Sequence, residues 1–394
     1  MYTVKIDTKD ERKVIVDDMI LTKDYPTTAG SKMLEGFMSL FDAEVLTKLK
    51  QAGYTLGGKA KVGEFSVDLL GETSYEGKAE KDGKLLNPSA EILKADEAMA
   101  AVNLDVNGAV RRAAAQNGLV SIKPTYGTVS RYGTIPVVCS GETVSIMAKD
   151  TDACFEVLSS IAGHDDKDGT SLPEEKCALL KEAYADAEIK KVAVLNSFTA
   201  DAEVTAKMED FCNALTNCGV MVEKIDDSVI VKSKTAWNIL MSAELCNNVS
   251  RYDGVKYGYR TENFTNIDEL YTNSRTEAFG EQLKNIILFG SETLSTENYF
   301  KVYDKALRTR RVIVEAFNKL FEEYDAVIIP ACSTMTYESE KVDKYTAFDE
   351  NLYTAPASVT GLPALVSGGV QVIGKAFSEK KLFKIGKLYE GEGK

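Results

Sequence analysis

The sequence predicts an α/β fold in which helices carry the chain between parallel strands. Two runs and the chain's size point to it. Lys191-Val-Ala-Val-Leu-Asn196 has the length and composition of a strand, Asp201 to Cys218 repeats its apolar residues at helical spacing, and Val220 to Ile225 is strand-like again. That strand–helix–strand order requires a parallel pair joined by a crossover. Asp325-Ala-Val-Ile-Ile-Pro330 is apolar without alternation, as a strand covered on both faces would be. With 394 residues, 44% apolar and 27% charged, the chain can bury a large core and form more than one subdomain.

The remaining elements follow in order. Val14 to Met19 reads as a short strand. Ala43 to Ala52 reads as a helix through Val45, Leu46 and Leu49, stopped by Gly53, and Tyr54 to Leu56 starts a second strand. Glu76 to Leu86 is rich in Lys, Glu and Gly and reads as exposed loop. A helix is expected from Ser89, its N-cap, to about Val102. It carries Glu91, Lys94, Asp96 and Glu97, so one face should meet water or a partner. Thr143 to Ala148 is a strand and Cys154 to Ile161 a helix. Leu172 to Lys190 reads as a polar helix, Trp237 to Asn248 as another, and Thr296 to Tyr324 as one long helix.

Composition excludes several function classes. The net charge of −13 opposes direct nucleic-acid binding, which needs clustered Lys and Arg. Seven cysteines without a Cys-x-x-Cys pair argue against a disulfide framework, and one histidine, His164, leaves few routes to a metal or a Ser-His centre. His164 reads as a turn residue. No metal or cofactor is expected. No apolar run approaches the roughly 18 residues of a membrane span. The start, Met1-Tyr-Thr-Val-Lys-Ile-Asp, lacks the shape of a signal peptide, so the expected location is cytoplasmic.

The most distinctive stretch is Leu104 to Gly133, above all Gly118-Leu-Val-Ser-Ile-Lys-Pro-Thr-Tyr-Gly-Thr-Val-Ser-Arg-Tyr-Gly133. It resembles the amidase signature family. Ser250-Arg-Tyr-Asp-Gly-Val-Lys-Tyr-Gly-Tyr-Arg260 and Glu269 to Gly280 are similar, within that family, to the A subunits of glutamyl-tRNA(Gln) amidotransferases. Tyr25 to Phe37, Lys59 to Phe65, Gly71 to Tyr75, Tyr353 to Val366 and Val370 to Lys375 extend the resemblance over nearly the whole chain. It implies an amidase-signature fold, a mixed central sheet covered on both faces by helices. One domain would span residues 1–394: a signature half at 1–185, a substrate-side subdomain at 186–330 and a return to the core sheet at 331–394. Against the family, the segment before the lysine strand and the C-terminal extension are expected to be missing, and the hairpin between Val366 and Val370 is cut to Ser-Gly-Gly.

The resemblance also implies site residues. The family's nucleophile turn, Asp-Thr-Gly-Gly-Ser-Ile-Arg, falls without a gap on Asp105 to Arg111, with Ala109 at the serine. A methyl group cannot attack a carbonyl. The bridging serine, 24 residues upstream, falls on Leu85, and the lysine of Ala-Ile-Lys-Asp-Asn falls on Val16. All three relay positions are aliphatic. Asp105, Gly108 and Arg111 remain from the turn. Tyr259 and Arg310 stand where the family holds glutamine, and Ser378 stands where it has an aspartate for the amino group. An arginine fork suits a carboxylate.

These losses lead to the expectation of a catalytically inactive amidase-fold protein. Its role would be structural or regulatory, in an amidotransferase-like complex with B- or C-type subunits or by self-association. Two alternatives stand beside it. One is a working A-type enzyme with a non-standard site, for which Cys139, Ser140 and Lys13 come into view. Lys13 lies three residues before Val16 and would face the opposite way along the strand. The other is a sensor that binds an amino acid through Tyr259 and Arg310.

Overall fold

The apolar runs pair into one large sheet in the computed structural model, which describes residues 1–392. In chain order its strands are β1 (Tyr2–Lys5), β2 (Lys13–Asp17), β3 (Thr55–Ala60), β6 (Ala100–Asp105), β7 (Val120–Lys123), β8 (Thr143–Ala148), β9 (Lys191–Leu195), β10 (Met221–Ile225), β11 (Ala326–Pro330), β12 (Ala364–Ser367) and β13 (Val370–Gly374). The short strands β4 (Glu80–Lys81) and β5 (Lys84–Leu85) form a separate hairpin. The eleven strands lie in the order β1-β3-β2-β6-β8-β7-β12-β13-β11-β9-β10. β2 runs parallel to β3 and β6, and β9 runs parallel to β10 and β11. The pairs β6–β8, β7–β8, β7–β12, β12–β13 and β11–β13 are antiparallel. The sheet is mixed, as the resemblance implied. The hairpin of β12 and β13, late in sequence, is the seam between strands from the first half and strands from the middle.

The helices are α1 (Glu44–Gln51), α2 (Pro88–Lys94), α3 (Ala109–Asn117), α4 (Thr151–Ile161), α5 (Glu174–Cys177), α6 (Ala202–Asn217), α7 (Ser233–Asn248), α8 (Ile267–Ala278), α9 (Glu281–Leu294), α10 (Asp304–Leu320), α11 (Thr346–Thr360) and α12 (Glu379–Glu392). Strand alternation assigns them to two faces. On β8, Val144, Ile146 and Ala148 share a core with Cys154, Val157 and Leu158 of α4, while Met147 packs with Ala113 to Ala115 of α3. On β13, Gln371 accepts from Arg111 of α3 and donates to the Tyr353 carbonyl of α11. Its neighbours Val370 and Val372 therefore point to the other face, where α12 packs on β12 and β13 and α6 packs on α12. Helices α7, α9, α10 and α11 form a layer of their own.

Three expectations need correction. The helix expected from Ser89 to Val102 is two elements: α2 ends at Lys94, and Ala100 opens β6. Its N-cap is Asn87, whose side chain accepts from the Ala90 amide, and Ser89 bonds Asn103 instead. Pairing with β2 and β8 outweighs the helical preference of an alanine-rich run. Leu172 to Lys190 forms only α5 and a 3-10 turn, Ala178–Lys181, of which only Cys177 and Leu180 are buried against the core. The long helix at Thr296 to Tyr324 begins as a π turn, Tyr299–Tyr303, and becomes α10 only at Asp304.

Arg111 and Asp105 are both fully buried, with Arg111 Nε 2.8 Å from Asp105 Oδ2. Breaking a buried pair strands a charge, at a cost of about 3–5 kcal/mol. Arg111→Ala should lose stability of that order in urea unfolding. A loss below about 1 kcal/mol would mean that the pair does not hold the fold.

Candidate functional site

The site is built where β6 passes into α3. Asp105 ends the strand, and its Oδ1 accepts from the Gly108 amide at 3.0 Å. Gly108 has φ +85°, and a Cβ there would lie 2.3 Å from Thr354 Cβ. Only glycine fits the turn. Arg111, one turn into α3, donates to Asp105, the Thr354 carbonyl (2.7 Å), Gln371 Oε1 (2.9 Å) and Ser358 Oγ (2.8 Å). Burial alone would raise the Asp105 pKa, but the Arg111 guanidinium outweighs it and the carboxyl stays below its ordinary value. Arg112 turns to the opposite wall and donates to the Asp68 and Leu69 carbonyls. Asn107 completes the frame. Its Nδ2 donates to the Val67 carbonyl at 3.0 Å and its Oδ1 accepts from Trp237 Nε1 at 2.9 Å.

A cavity of about 20 Å³ lies against the start of α3, room for roughly one water. Asp17, Lys61, Ser66, Asp68, Ser89 and Ala109 are among its walls. Ser66 sits in a strained turn. Phe65 and Ser66 have φ of +52° and +56°, a region that non-glycine residues enter only when their surroundings impose it. The Phe65 ring supplies that constraint, wedged against Tyr252 (5.4 Å) and Phe279 (6.3 Å). Among the described residues the Ser66 hydroxyl has no hydrogen-bond partner. The Ser89 hydroxyl donates to Asn103 Oδ1 at 2.7 Å. Asp17 accepts from the Leu104 and Met19 amides at 2.8 and 3.1 Å, yet burial pushes its pKa up to about 7. Burial and the neighbouring Glu72 charge push Asp68 up as well, against its hydrogen bonds from Thr73. A Cβ on Gly63 would lie 1.7 Å from Asp68 Oδ2, so the Asp68 carboxylate fills the space of any side chain at position 63.

Ala109 is the one relay position that borders this cavity. Val16 is fully buried on β2 in the core shared with α4, and Asp17, the next residue, faces the cavity instead. Leu85 packs with Ala90, Leu93 and Val110, its amide bonded to the Tyr337 carbonyl at 2.9 Å. Of the three positions counted without a gap, Val16 and Leu85 are not among the walls of this cavity. Tyr259 and Arg310 are not brought together. The Tyr259 hydroxyl donates to Glu277 Oε2 at 2.7 Å with the Lys32 amine 4.2 Å above its ring, while Arg310 reaches the Ser140 carbonyl at 3.4 Å. Ser378 bonds the Lys375 carbonyl in a turn before α12. The Ser140 hydroxyl donates to Glu244, burial raises the Cys139 thiol, and neither residue lines the cavity. Lys13 opens β2 outside the cavity. His164 is an exposed loop residue bonded to Leu172 and Asp166. No group of three potential metal ligands occurs among the described residues. Ser66 and Asp68 escaped the sequence reading because no motif marks them, while Asp17 lay inside the Ala-Ile-Lys-Asp-Asn match and Ser89 was read only as a helix cap.

The amidase family profile matches residues 14–383. The chain belongs to the amidase family. This amidase is 34% identical over 95% of its length to the A subunit of glutamyl-tRNA(Gln) amidotransferase from Latilactobacillus sakei, covering 81% of that protein. It is 32% identical over 94% of its length to the protein of the same name from Lachnoclostridium phytofermentans, again covering 81%. The solved structure of the Thermotoga maritima counterpart, which carries that name too, matches 96% of this chain and 82% of that one, with TM-score 0.78 at 27% identity. Structures of 6-aminohexanoate cyclic dimer hydrolase, at 17% identity and TM-score 0.81, share the fold. These relatives overturn the expectation of an inactive protein. The inference had rested on three positions, two of which do not border the cavity, and the cavity keeps hydroxyl and carboxyl groups. No helix among the described residues is long and apolar enough to cross a membrane.

Raised carboxyl pKa values have a stability consequence. Asp17 and Asp68 hold protons in the folded chain at pH values where the unfolded chain, titrating near 3.8, has lost them. Their contribution is fully present below about pH 4 and is lost as pH rises, for Asp17 through about 7 and for Asp68 higher. Wild-type stability should therefore fall between pH 5 and pH 8, and Asp68→Asn should flatten that fall by roughly 1 kcal/mol or more. Urea midpoints at the two pH values measure it, and an unchanged slope in the variant would place Asp68 in the ordinary carboxylate range.

Proposed function

We propose that this amidase works as an A-type amidotransferase subunit that releases ammonia from the side-chain amide of glutamine, in a complex with B- and C-type subunits. The observation that carries the reading is 34% identity over 95% of the chain to proteins named as that subunit. Ala109 offers no nucleophile, so the chemistry passes to the cavity beside it. Ser66 is the chosen hydroxyl because it is unengaged and held in a strained turn. Asp17 is the chosen base because burial lifts its pKa to about 7, where it can take and return a proton at neutral pH.

The steps balance. Ser66 Oγ attacks the amide carbon as its proton passes to Asp17. The C–N bond breaks, Asp17 returns the proton to nitrogen, and ammonia leaves a glutamyl ester on Ser66. Water then cleaves the ester and regenerates the hydroxyl. The Gly108 amide is held by Asp105, so the amides of Asn107 and Ala109 on either side of it are the donors on offer for the developing oxyanion. The cavity holds about one water, so a glutamine side chain needs it to widen.

The test is ammonia release from glutamine by the purified chain together with its B- and C-type partners. Turnover should fall by 100-fold or more in Ser66→Ala and in Asp17→Asn, and by less in Ser89→Ala. Wild-type complex that releases no ammonia would end the reading. Full activity in Ser66→Ala would remove the assigned nucleophile and leave the A-type role in place.

A further inference from the structure

A second, larger cavity of about 530 Å³ opens far along the sheet, at the carboxyl ends of β9, β10 and β11. Three parallel strands end here, and the chain leaves two of them for opposite faces. β9 leads into α6, which packs beside α12, whereas the chain after β11 leads to α11, whose Thr354 and Ser358 meet Arg111 on the other face. Adjacent strands that diverge in this way leave a crevice between their exits, and open α/β sheets bind ligands in such crevices. The volume falls in the range of small-molecule sites.

The lining has a defined chemistry. Phe198, Met208 and Cys212 make an apolar floor, with Leu195 behind them. Two opposite charges stand at it. Glu209 lies on the same helix face as Met208 and Cys212, and Lys224 projects from the edge strand β10. Both act electrostatically on the Cys212 thiol, which places both near the floor. Among the described residues neither forms an ion pair or a hydrogen bond, whereas Lys191, on the neighbouring strand, is paired with both Glu223 and Glu323. The carboxylate of nearby Asp226 accepts from the Asn196 side-chain amide. A ligand that satisfies all three features carries a carboxylate, an ammonium and an apolar side chain.

We propose that this crevice binds a free apolar α-amino acid, its carboxylate on Lys224, its ammonium on Glu209 and its side chain over Phe198, Met208 and Cys212. The site lies apart from the Ala109 cavity and from Tyr259 and Arg310, and it does not depend on the catalytic reading. Isothermal titration calorimetry on the full chain, with L-phenylalanine, L-methionine and L-leucine as probes, tests it. At least one probe should bind. N-acetylphenylalanine and phenylalaninamide, each lacking one charge, should bind at least tenfold more weakly than phenylalanine, as should phenylalanine to Lys224→Ala and to Glu209→Ala. Both side chains are exposed, and circular dichroism confirms that the variants fold. No heat from any of the three amino acids, or unchanged affinity in both variants, would overturn the proposal.

Discussion

The ion pair of Arg111 with Asp105 is the constraint on which the rest of the molecule depends. A guanidinium shut away from water must have its donors satisfied, and here partners come from three elements besides its own. Asp105 belongs to the end of β6, Thr354 and Ser358 to α11, and Gln371 to β13. One side chain thereby ties the first half of the chain to the late hairpin that joins the two wings of the sheet. The bound turn leaves no room for a side chain at Gly108. The geometry answers to the charge beneath it, and the residue at 109 has no part in holding it.

The same logic shapes the cavity. Asp68 stands where a side chain at position 63 would stand, and glycine at 63 makes the exchange possible. Arg112 holds the backbone of that loop through the Asp68 and Leu69 carbonyls, so two adjacent arginines of one helix clamp opposite walls. The result is a small space in which two buried acids, Asp17 and Asp68, have pKa values raised toward neutrality. Such a space favours proton exchange over simple charge pairing. The relatives' names favour an amidase by descent.

Legibility in the sequence followed the range of the forces involved. The β9–α6–β10 unit could be read directly, since its strands and helix are set by local apolar spacing and the crossover by chain handedness. The strand at β11 and the hairpin at Ser367-Gly368-Gly369 were equally plain. The stretch from Ser89 to Val102 was misread because alanines suit a helix alone, and only β2 and β8 on either side draw Ala100 to Asp105 into a strand. Tyr259 and Arg310 lie in recognisable motifs, yet each is committed to a local partner, Glu277 and the Ser140 carbonyl, and spacing along a chain carries no information about that choice.

By itself the sequence determined the family, the α/β class and the absence of a hydroxyl at position 109, since each is written in residue identity and short-range pattern. Only the tertiary structure decided which groups stand beside that alanine. A cavity wall is assembled from segments as distant as Asp17, Ser66 and Ser89. Burial finished the matter, because the same carboxyl is an ordinary acid in water and a proton carrier near neutrality once the fold has closed over it.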